Sequence, residues 1–559
     1  MKRKRRSLLV LGLGVFSLTL SGCTFKEGWE STISWMNSHI IQPIKNLFIK
    51  DKGQEEKPDL VIPTVDVESL EINLPSLPER NVGAIRSDDE YEYLDVYELS
   101  DFHGAVNYEA HSSGDYIGLP KLATYFDGRR SENAGGTLIL SSGDMFQGSA
   151  DSNLTRGFMV NYCMQYMGFD AMAIGNHEFD WTDEWIKKNA ELKYNTTSVP
   201  YLGANILKNG EIPDFLTKST IVNRGEYKVG VIGVIGNDLE SSILKSCIEN
   251  YEFVKYADIV STEAARLKSE EGCNAVVLLA HEGAENVEKV SGVDAIFGGH
   301  AHQDKQDYGQ GIPAVATKNY GQSVAHIELK FNKSDKSLVG ATDEIVSMSN
   351  YRSLEENASI SSIMDQYAPE INKIKNIRLG SSDFELRYDK ALKNICTRSM
   401  FDSAVDVAKK VDTIDESKIV ISLHNVNGGI RDNIAAGEIT YGNVYKSFPF
   451  DNEIVLIKVT GEEFVSKIAN LRHLGCYKIF EKREYFKPDE NYYIVTTDYL
   501  ALSESEFGNN FKHLEDKDLI RTGLVVRDEV AAKIYKVDKV TKDQFENNDP
   551  NYSQVSISF

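Results

Sequence analysis

Residues 175–180 read Gly-Asn-His-Glu-Phe-Asp and follow a short apolar run at 171–174 that is typical of a buried strand. An amide and an imidazole stand side by side, and a carboxylate follows three positions after the histidine. The leading glycine suits a tight turn at a strand end. This stretch therefore predicts a strand that ends in a turn carrying metal-binding and proton-transferring side chains.

Four further segments of the same kind surround this stretch. Each places histidine or aspartate beside glycine or another small residue, and they occur in one order along the chain. They are Asp101-Phe102-His103-Gly104, Gly143-Asp144, Ala280-His281-Glu282-Gly283 and Gly299-His300-Ala301-His302. Together with Asn176 they supply the carboxylate, imidazole and amide ligands that two adjacent divalent metals need. Chance is a poor explanation for so many ordered segments over about two hundred residues.

The apolar runs before these segments alternate with helical patterns. The predicted strands are 93–99, 137–142, 171–174, 227–235, 275–280 and 295–297, and 261–270 is a predicted helix. In open α/β sheets, ligands gather at the carboxyl ends of the strands. We therefore expect an α/β domain over residues 91–350 whose metal-binding side chains converge on one edge of a sheet.

The chain is too long, at 559 residues, for one hydrophobic core. Apolar residues recur at helical spacing between 353 and 377, which predicts one long helix that connects two domains. We place this connecting helix at 351–378 and a second globular domain at 379–559.

The N-terminus resembles an export signal. A basic run at 2–6 precedes an apolar stretch at 7–20, and Leu20-Ser21-Gly22-Cys23 resembles a bacterial lipoprotein box. This resemblance implies a signal peptide at 1–22, acylation of Cys23, and anchoring at the extracytoplasmic face of the cell membrane. The alternative is an ordinary, unprocessed cysteine.

Residues 23–90 resemble a membrane tether and linker, because charge and proline dominate from 51 to 89. Within this tether, 29–50 has apolar residues close to helical spacing, which predicts a short amphipathic helix. Packing on the membrane and packing on the body both remain open for it.

Charge and cysteine content argue against a nucleic-acid-binding protein and against a disulfide-rich protein. The formal net charge of -23 disfavours binding to nucleic acid, and the hydrophobic share of 41% is ordinary for a globular protein. The cysteines other than Cys23 are few, widely spread and odd in number, so they predict no disulfide framework. No obligate protein partner is evident.

The ordered segments resemble the calcineurin-like metallophosphoesterase superfamily and, more narrowly, the bacterial 5′-nucleotidase family. The resemblance implies an N-terminal αββα sandwich, a linker helix and a C-terminal α+β substrate-binding domain. It also implies two divalent metal ions (Zn, Mn, Fe or Co) and a catalytic pair, His177 and Asp180. One metal would take Asp101, His103, Asp144 and His302, and the other Asp144, Asn176, His281 and His300.

The C-terminal half also carries the resemblance. Gly428-Gly429-Ile430-Arg431 and the following residues up to Phe450 are similar to the family's substrate domain. Arg431 would contact the substrate phosphate, and Phe450 would stack on the base. Phe507 would supply the second stacking ring. Arg398, in a segment that departs from the family pattern, could take over a phosphate contact.

These features predict an exported two-metal phosphoesterase that hydrolyses nucleoside 5′-monophosphates or related nucleotides to nucleoside and phosphate. Two alternatives stay open. The altered segments at 396–401 and 503–506 motivate a different substrate: a cyclic nucleotide, a nucleotide sugar or a dinucleotide. The other alternative is a non-catalytic surface protein that uses the scaffold for binding.

Overall fold

The computed structural model describes residues 57–109, 115–244, 247–411, 413–468, 474–480, 483–502, 514, 518–546 and 552–554. The predicted signal peptide, Cys23, the amphipathic segment 29–50 and Phe507 lie outside these residues. Residues Leu60–Phe559 form one compact unit. The statements below concern the described residues of that unit.

The N-terminal domain contains strands at the positions where the sequence alternates between apolar runs and turns. Its strands are β1 (Arg86–Ser87), β2 (Tyr91–Glu98), β3 (Thr137–Ser141), β4 (Ala171–Ala173), β5 (Tyr201–Leu202), β6 (Ile206–Lys208), β7 (Ser219–Arg224), β8 (Tyr227–Ile235), β9 (Tyr251–Phe253), β10 (Ala275–His281), β11 (Ala295–Gly298), β12 (Lys305–Asp307), β13 (Ala314–Ala316), β14 (Ser323–Asn332) and β15 (Leu338–Ser347). Its helices are α1 (Leu119–Glu132), α2 (Ala150–Leu154), α3 (Phe158–Met167), α4 (Thr182–Glu191) and α5 (Ala257–Ser269).

The connecting helix and the C-terminal domain follow. The helices are α6 (Ala358–Lys375), α7 (Ala391–Ala408), α8 (Tyr441–Ser447), α9 (Gly461–Ile468), α10 (Asp498–Leu502), α11 (Val526–Val537) and α12 (Lys542–Phe545). The strands are β16 (Arg378–Ser382), β17 (Ile419–Asn425), β18 (Gly437–Thr440), β19 (Glu453–Thr460), β20 (Leu474–Lys478), β21 (Asn491–Thr497), β22 (Leu519–Val525), β23 (Lys539–Val540) and β24 (Tyr552–Gln554).

Two sheets lie face to face in the N-terminal domain. The first has the order β15-β14-β2-β3-β4-β5, with β1 on β2, and the second has the order β12-β13-β11-β10-β8-β7. Side chains of both sheets, such as Leu140 and Val277, share one buried cluster between them. Helices α1 and α3 cover the outer face of the first sheet, and α5 covers the second. The predicted αββα sandwich is confirmed.

The C-terminal domain is the predicted α+β domain. Its main sheet has the order β22-β19-β21-β17-β20-β24, and helices α7 and α11 pack against each other, with α7 lying on that sheet. Buried residues of the sheet and of both helices form one core, which includes Ile395, Leu456 and Val530. Ala150 of the N-terminal helix α2 also belongs to this core, and Leu154 of the same helix packs against it.

The connecting helix α6 starts five residues later than the helix pattern from 353 predicts. The Asn357 side-chain oxygen accepts the backbone N–H groups of Ser359, at 3.0 Å, and Ile360, at 3.2 Å. Such a cap fixes the first turn, because the first N–H groups of a helix have no partner inside it. Helix α6 then packs against α1, α2 and α3 of one domain and α8 of the other.

The segment before β1 only partly behaves as the predicted linker. Apart from a single 3-10 turn at Val67–Ser69, residues 60–85 have no helix or strand. Most of their apolar side chains nevertheless pack on the body of the protein, whereas Val61 and Val82 are exposed. The charges and prolines that suggested a linker stand between apolar residues at every second or third position.

His326 on β14 lies in a network of charges on the first sheet. Its Nε2 atom is 2.8 Å from Asp95 Oδ1, and its Nδ1 atom is 3.0 Å from Glu344 Oε1. Burial by itself would lower the pKa of His326, but these two carboxylates outweigh it and raise the pKa. The protonated imidazole is therefore more favourable in the folded than in the unfolded chain.

The free energy of unfolding should depend on pH through His326. The unfolded pKa is about 6.5, so the stabilisation is complete below that pH and is lost as pH rises through the higher folded pKa. We expect the wild type to lose more stability than His326→Gln as the pH rises above about 6.5. Urea unfolding over a pH series measures this difference, and parallel curves would contradict it.

Candidate metal site and substrate cavity

The predicted metal-binding residues meet at one edge of the sandwich. Asp101, Asp144 and Asn176 follow β2, β3 and β4 of the first sheet, and His281 and His300 come from the ends of β10 and β11 of the second. Because β2, β3 and β4 run parallel, as do β10 and β11, their carboxyl ends point the same way. The loops that carry the side chains are thereby brought together.

The first group of ligand atoms belongs to Asp101, His103 and His302. These three side chains each place one possible ligand atom within 4.8 Å of the others. His302 Nε2 is 3.4 Å from Asp101 Oδ1 and 3.1 Å from His103 Nε2. The other ring nitrogen of His103 donates to the Gln147 carbonyl at 2.9 Å, which leaves Nε2 with a free lone pair.

The second group belongs to Asp144, His281 and His300, with Asn176 between the imidazoles. Asn176 Oδ1 is 3.1 Å from His281 Nε2 and 3.0 Å from His300 Nδ1. His281 Nδ1 donates to the Ser142 carbonyl at 2.7 Å, so Nε2 faces the oxygens. Asp144 Oδ2 lies 3.2 Å from His281 Nε2 and 4.0 Å from His103 Nε2, and therefore stands between the two groups.

This cluster is suited to cations. Asp144 Oδ2 is buried yet accepts no hydrogen bond, a costly state for a carboxylate oxygen unless a positive charge compensates it. Burial by itself would lower the pKa of His281, but Asp144 and other carboxylates raise it to about 10. These carboxylates favour a positive charge next to them. The mixed nitrogen and oxygen donors fit Zn, Mn, Fe or Co.

The backbone at the ligand-bearing turns is strained. Asp101, His103 and Asp144 have φ angles of 49°, 50° and 55°, and His300 and His302 have 64° and 54°. Residues with a Cβ rarely occupy this left-handed region, and strain of this kind is characteristic of functional sites. Surrounding contacts must therefore hold these turns in place.

Glu178 provides such contacts, a role that was not predicted from the sequence. Its carboxylate accepts three backbone N–H groups, from Asp144 at 2.8 Å, Met145 at 2.9 Å and Gly175 at 2.8 Å. The residue is only 4% exposed. One buried side chain thus fixes the Asp144 turn to the Asn176 turn. The only feature of the sequence that points to Glu178 is its position directly after the Asn-His pair.

Glu178→Gln should weaken metal binding while leaving the metal-free fold intact. The amide can still accept two of the three N–H groups, but its NH₂ group would face a third donor. Loss of such an outer contact reduces metal affinity by about 10- to 100-fold. Calorimetric titration of the chelator-treated protein with Mn²⁺ measures the effect. Glu184→Gln, on the exposed side of α4, is the matched control, and equal affinity in both variants would contradict the prediction.

His177 and Asp180 form a hydrogen-bonded pair beside the metal-ligand groups. His177 Nδ1 is 2.8 Å from Asp180 Oδ2, and the His177 backbone N–H donates to Asp144 Oδ1 at 2.9 Å. Burial would lower the pKa of His177, but the carboxylates of Asp180 and Asp144 raise it to about 9. Asp180 thus holds the imidazole in one orientation, and the two carboxylates favour its protonated form.

A cavity of about 340 Å³ joins this centre to the C-terminal domain. Asp144, Asn176, His177, Asp180, His300 and His302 line one side, and Arg431 and Phe450 line the other. The Phe450 ring lies 6.1 Å from the His177 ring at 26° between planes, and the Arg431 guanidinium is 5.1 Å from the Phe450 ring centre. The structure therefore brings an aromatic face and a cation to the metal-ligand groups.

Further residues of the C-terminal domain line this cavity although the sequence did not predict a role for them. Tyr499 on α10, Asn425 and Asn427 line it, and Asn425 Oδ1 is buried without a hydrogen-bond partner. The two asparagines stand next to the segment that the sequence marked, whereas nothing in the sequence distinguishes Tyr499. Arg398 does not join them. Its guanidinium is held by Asp402 at 2.8 Å and stacks on Tyr477, away from the residues lining the cavity.

Comparison with known families identifies both domains. Residues 94–304 match the calcineurin-like phosphoesterase family, and residues 370–469 match the C-terminal domain of 5′-nucleotidases. The first match spans most of the sandwich and all of the predicted metal ligands. The second spans part of α6, Arg431 and Phe450.

Individual relatives agree with this assignment. Endonuclease YhcR of Bacillus subtilis (strain 168) is 27% identical over 67% of this chain, which spans 32% of YhcR. Protein UshA of Escherichia coli (strain K12) is 25% identical over 82% of this chain and 94% of UshA. The crystal structure of a 5′-nucleotidase precursor from Thermus thermophilus matches 80% of this chain and 97% of its own, with a TM-score of 0.63 and 20% identity.

Fold and ligand groups together define a metal-dependent phosphoester hydrolase of the calcineurin-like class, whose members use two divalent metals. Because it also carries the matched C-terminal domain, the chain belongs to the 5′-nucleotidase family within that class. Among the described residues, the helices lack the combination of length and hydrophobicity needed to span a bilayer.

Proposed function

We propose that this protein hydrolyses nucleoside 5′-monophosphates or related nucleotides to nucleoside and phosphate outside the cytoplasm, anchored to the membrane through Cys23. The cavity that joins the metal-ligand groups to Arg431 and Phe450 carries the proposal for the activity. The basic and apolar run before Cys23 supports the anchoring.

The metals would be held by the side chains that the structure brings together. Asp101, His103, Asp144 and His302 would hold one, and Asp144, Asn176, His281 and His300 the other. Two bound divalent metals would neutralise phosphate oxygens and activate water. The N-terminal domain alone supplies this set, so substrate choice depends on the other side of the cavity.

In this proposal His177 acts on the leaving oxygen. Hydrolysis adds a water oxygen to phosphorus, breaks the bond between phosphorus and the ester oxygen, and needs a proton on that oxygen. The protonated His177 donates one proton from Nδ1 to Asp180, so its second proton lies on Nε2 and can be donated into the cavity. The carboxylates of Asp180 and Asp144 raise the pKa of His177 and so favour this protonated form.

The C-terminal side of the cavity suits a nucleotide. A guanidinium provides several donors for phosphate oxygens, and an aromatic face stacks on a base. Arg431 and Phe450 offer both within one wall. Tyr499 and the two asparagines add aromatic and amide groups to the same space.

A panel of phosphate esters tests this function. Phosphate release from the Mn²⁺-loaded protein should be greatest with nucleoside 5′-monophosphates. Activity confined to cyclic nucleotides, nucleotide sugars or dinucleotides would replace the monophosphate with one of those substrates. Absence of hydrolysis with every ester under any divalent metal would support the surface-binding alternative instead.

Phe450→Ala should raise the KM for AMP by about tenfold with a smaller change in kcat, because stacking on a base contributes about 1–3 kcal/mol. The KM for p-nitrophenyl phosphate, which lacks a nucleoside, should change less. Steady-state kinetics on both esters measures the difference. Tyr388→Ala, which removes an exposed aromatic ring of the same domain, is the control. Equal changes for both esters would remove Phe450 from base recognition.

A second cavity favours dinucleotides or nucleotide sugars as a second candidate substrate class. It measures about 370 Å³ and is lined by His103, one of the predicted metal ligands. It shares Gln147, Arg431 and Phe450 with the first cavity. Tyr116 and Tyr320 line it as a ring pair 4.2 Å apart. A second organic group attached through phosphate would fit there. A higher kcat/KM for such a substrate than for AMP would favour this reading.

A further inference from the structure

Residues 60–77 run over both domains although they contain little regular secondary structure. Apolar side chains occur along this stretch at Leu60, Ile62, Val65, Val67, Leu70, Ile72, Leu74 and Leu77. All of them are partly or fully buried against the body of the protein. By contrast, Val61 in the same stretch is 79% exposed.

The contacts of this stretch change from one domain to the other along its length. Leu60 and Ile62 pack against the core of the C-terminal domain. From Val67 onward, the apolar side chains pack against the N-terminal core that includes one face of α6. Val65 stands between these parts and packs against both cores.

Polar contacts fix the same stretch to the connecting helix and the N-terminal domain. The backbone N–H of Asn73 donates to Gln366 Oε1 of α6 at 2.6 Å, and Gln366 Nε2 donates back to the Asn73 carbonyl at 3.0 Å. Lys188 of α4 pairs with Glu68 at 2.8 Å. The hydroxyl group of Tyr194 donates to the Pro75 carbonyl.

We propose that residues 60–77 form a strap that holds the two domains in the arrangement in which Phe450 and Arg431 face the metal-ligand groups. Elsewhere the two domains meet through polar contacts, such as Asn153 Nδ2 to the Pro449 carbonyl at 3.0 Å and Arg156 to Asp451 at 3.3 Å, and through Ala150 and Leu154 of α2, which pack on the C-terminal core. An exposed ion pair such as that of Arg156 with Asp451 is exchanged for water at modest cost. Pulling Val65 off both cores would expose apolar surface, which is unfavourable in proportion to its area.

The strap is thus packed against the two domains, and it is distinct from any membrane tether before it. Motion of one domain relative to the other must displace Val65 from at least one core or break the bonds between Asn73 and Gln366. The strap would restrict this motion whichever substrate the cavity binds.

Amide hydrogen exchange of the full chain tests the strap. Residues 147–156 and 441–451 meet across the domain boundary, so their amides report its opening. Val65→Asp should speed their exchange by at least about tenfold, because the charge cannot remain against two apolar cores. Val61→Asp adds the same charge four residues earlier at an exposed position and should leave their exchange as in the wild type.

Gln366→Ala is a second variant that introduces no charge into a core. It removes both bonds to Asn73 and should speed exchange in the same two segments, by less than Val65→Asp does. Unchanged exchange in a folded Val65→Asp protein would overturn the proposal. If Val65→Asp does not fold, unchanged exchange in Gln366→Ala would overturn it. AMP hydrolysis, measured on the same wild-type sample, tests the proposed function separately.

Discussion

Asp144→Asn is expected to reduce kcat for phosphoester hydrolysis by at least about a thousandfold. The Oδ2 atom of Asp144 is buried between both ligand groups, 3.2 Å from His281 Nε2 and 4.0 Å from His103 Nε2. An amide at this position has no negative charge to share between two cations. The bound-metal content should therefore fall together with the turnover, and elemental analysis beside phosphate release measures both.

The control for this variant is Asp214→Asn, which removes an exposed carboxylate whose partner is Lys187 at 2.9 Å. It should keep the metal content and the turnover of the wild type. If Asp144→Asn retained both metals and a tenth or more of the turnover, Asp144 could not be the shared ligand.

His177→Ala should lower kcat for AMP by about 10²- to 10⁴-fold while the metal content stays unchanged. The reason is loss of the proton donor to the leaving oxygen, since no ligand group of either metal is removed. A p-nitrophenyl ester leaves as a stable phenolate and needs little proton donation, so its kcat should fall much less. Comparing both esters in wild type and variant measures this difference.

Asp180→Asn should also lower kcat for AMP more than kcat for the p-nitrophenyl ester, but both decreases should be smaller than in His177→Ala. The imidazole remains, and only its Nδ1 contact changes from a charged to a neutral acceptor. Equal losses for both esters in His177→Ala would exclude proton donation and leave only a role in stabilising charge. Loss of metal in that variant would instead place His177 among the positioning residues.

The sequence predicted the parts of the fold that depend on local pattern. Strand β8 has the predicted bounds, Tyr227–Ile235, because it is one largely apolar run with turns on both sides. The convergence of Asp101, Asp144 and Asn176 followed from parallel strands that end together. Helix α6 differed at its start, because the cap at Asn357 lies inside the apolar pattern.

Contacts between residues far apart in the chain could not be predicted from the sequence. Glu178 acts through backbone groups more than thirty positions away, which no spacing reveals. Tyr499 reaches the cavity only because α10 follows β21 in the C-terminal sheet. Val65 is partly buried because the cores of the two domains meet beneath it, although the residues around it have the composition of a linker.

The most direct test of the account is the rate of AMP hydrolysis measured while metal is returned to the chelator-treated protein. We predict no turnover without metal, and full turnover once two equivalents of Mn²⁺ are bound per chain, because the ligand side chains form two groups around Asp144. Full turnover in the metal-free protein would contradict the account. So would absence of turnover with two equivalents bound, since the cavity would then hold its ligand without hydrolysing it.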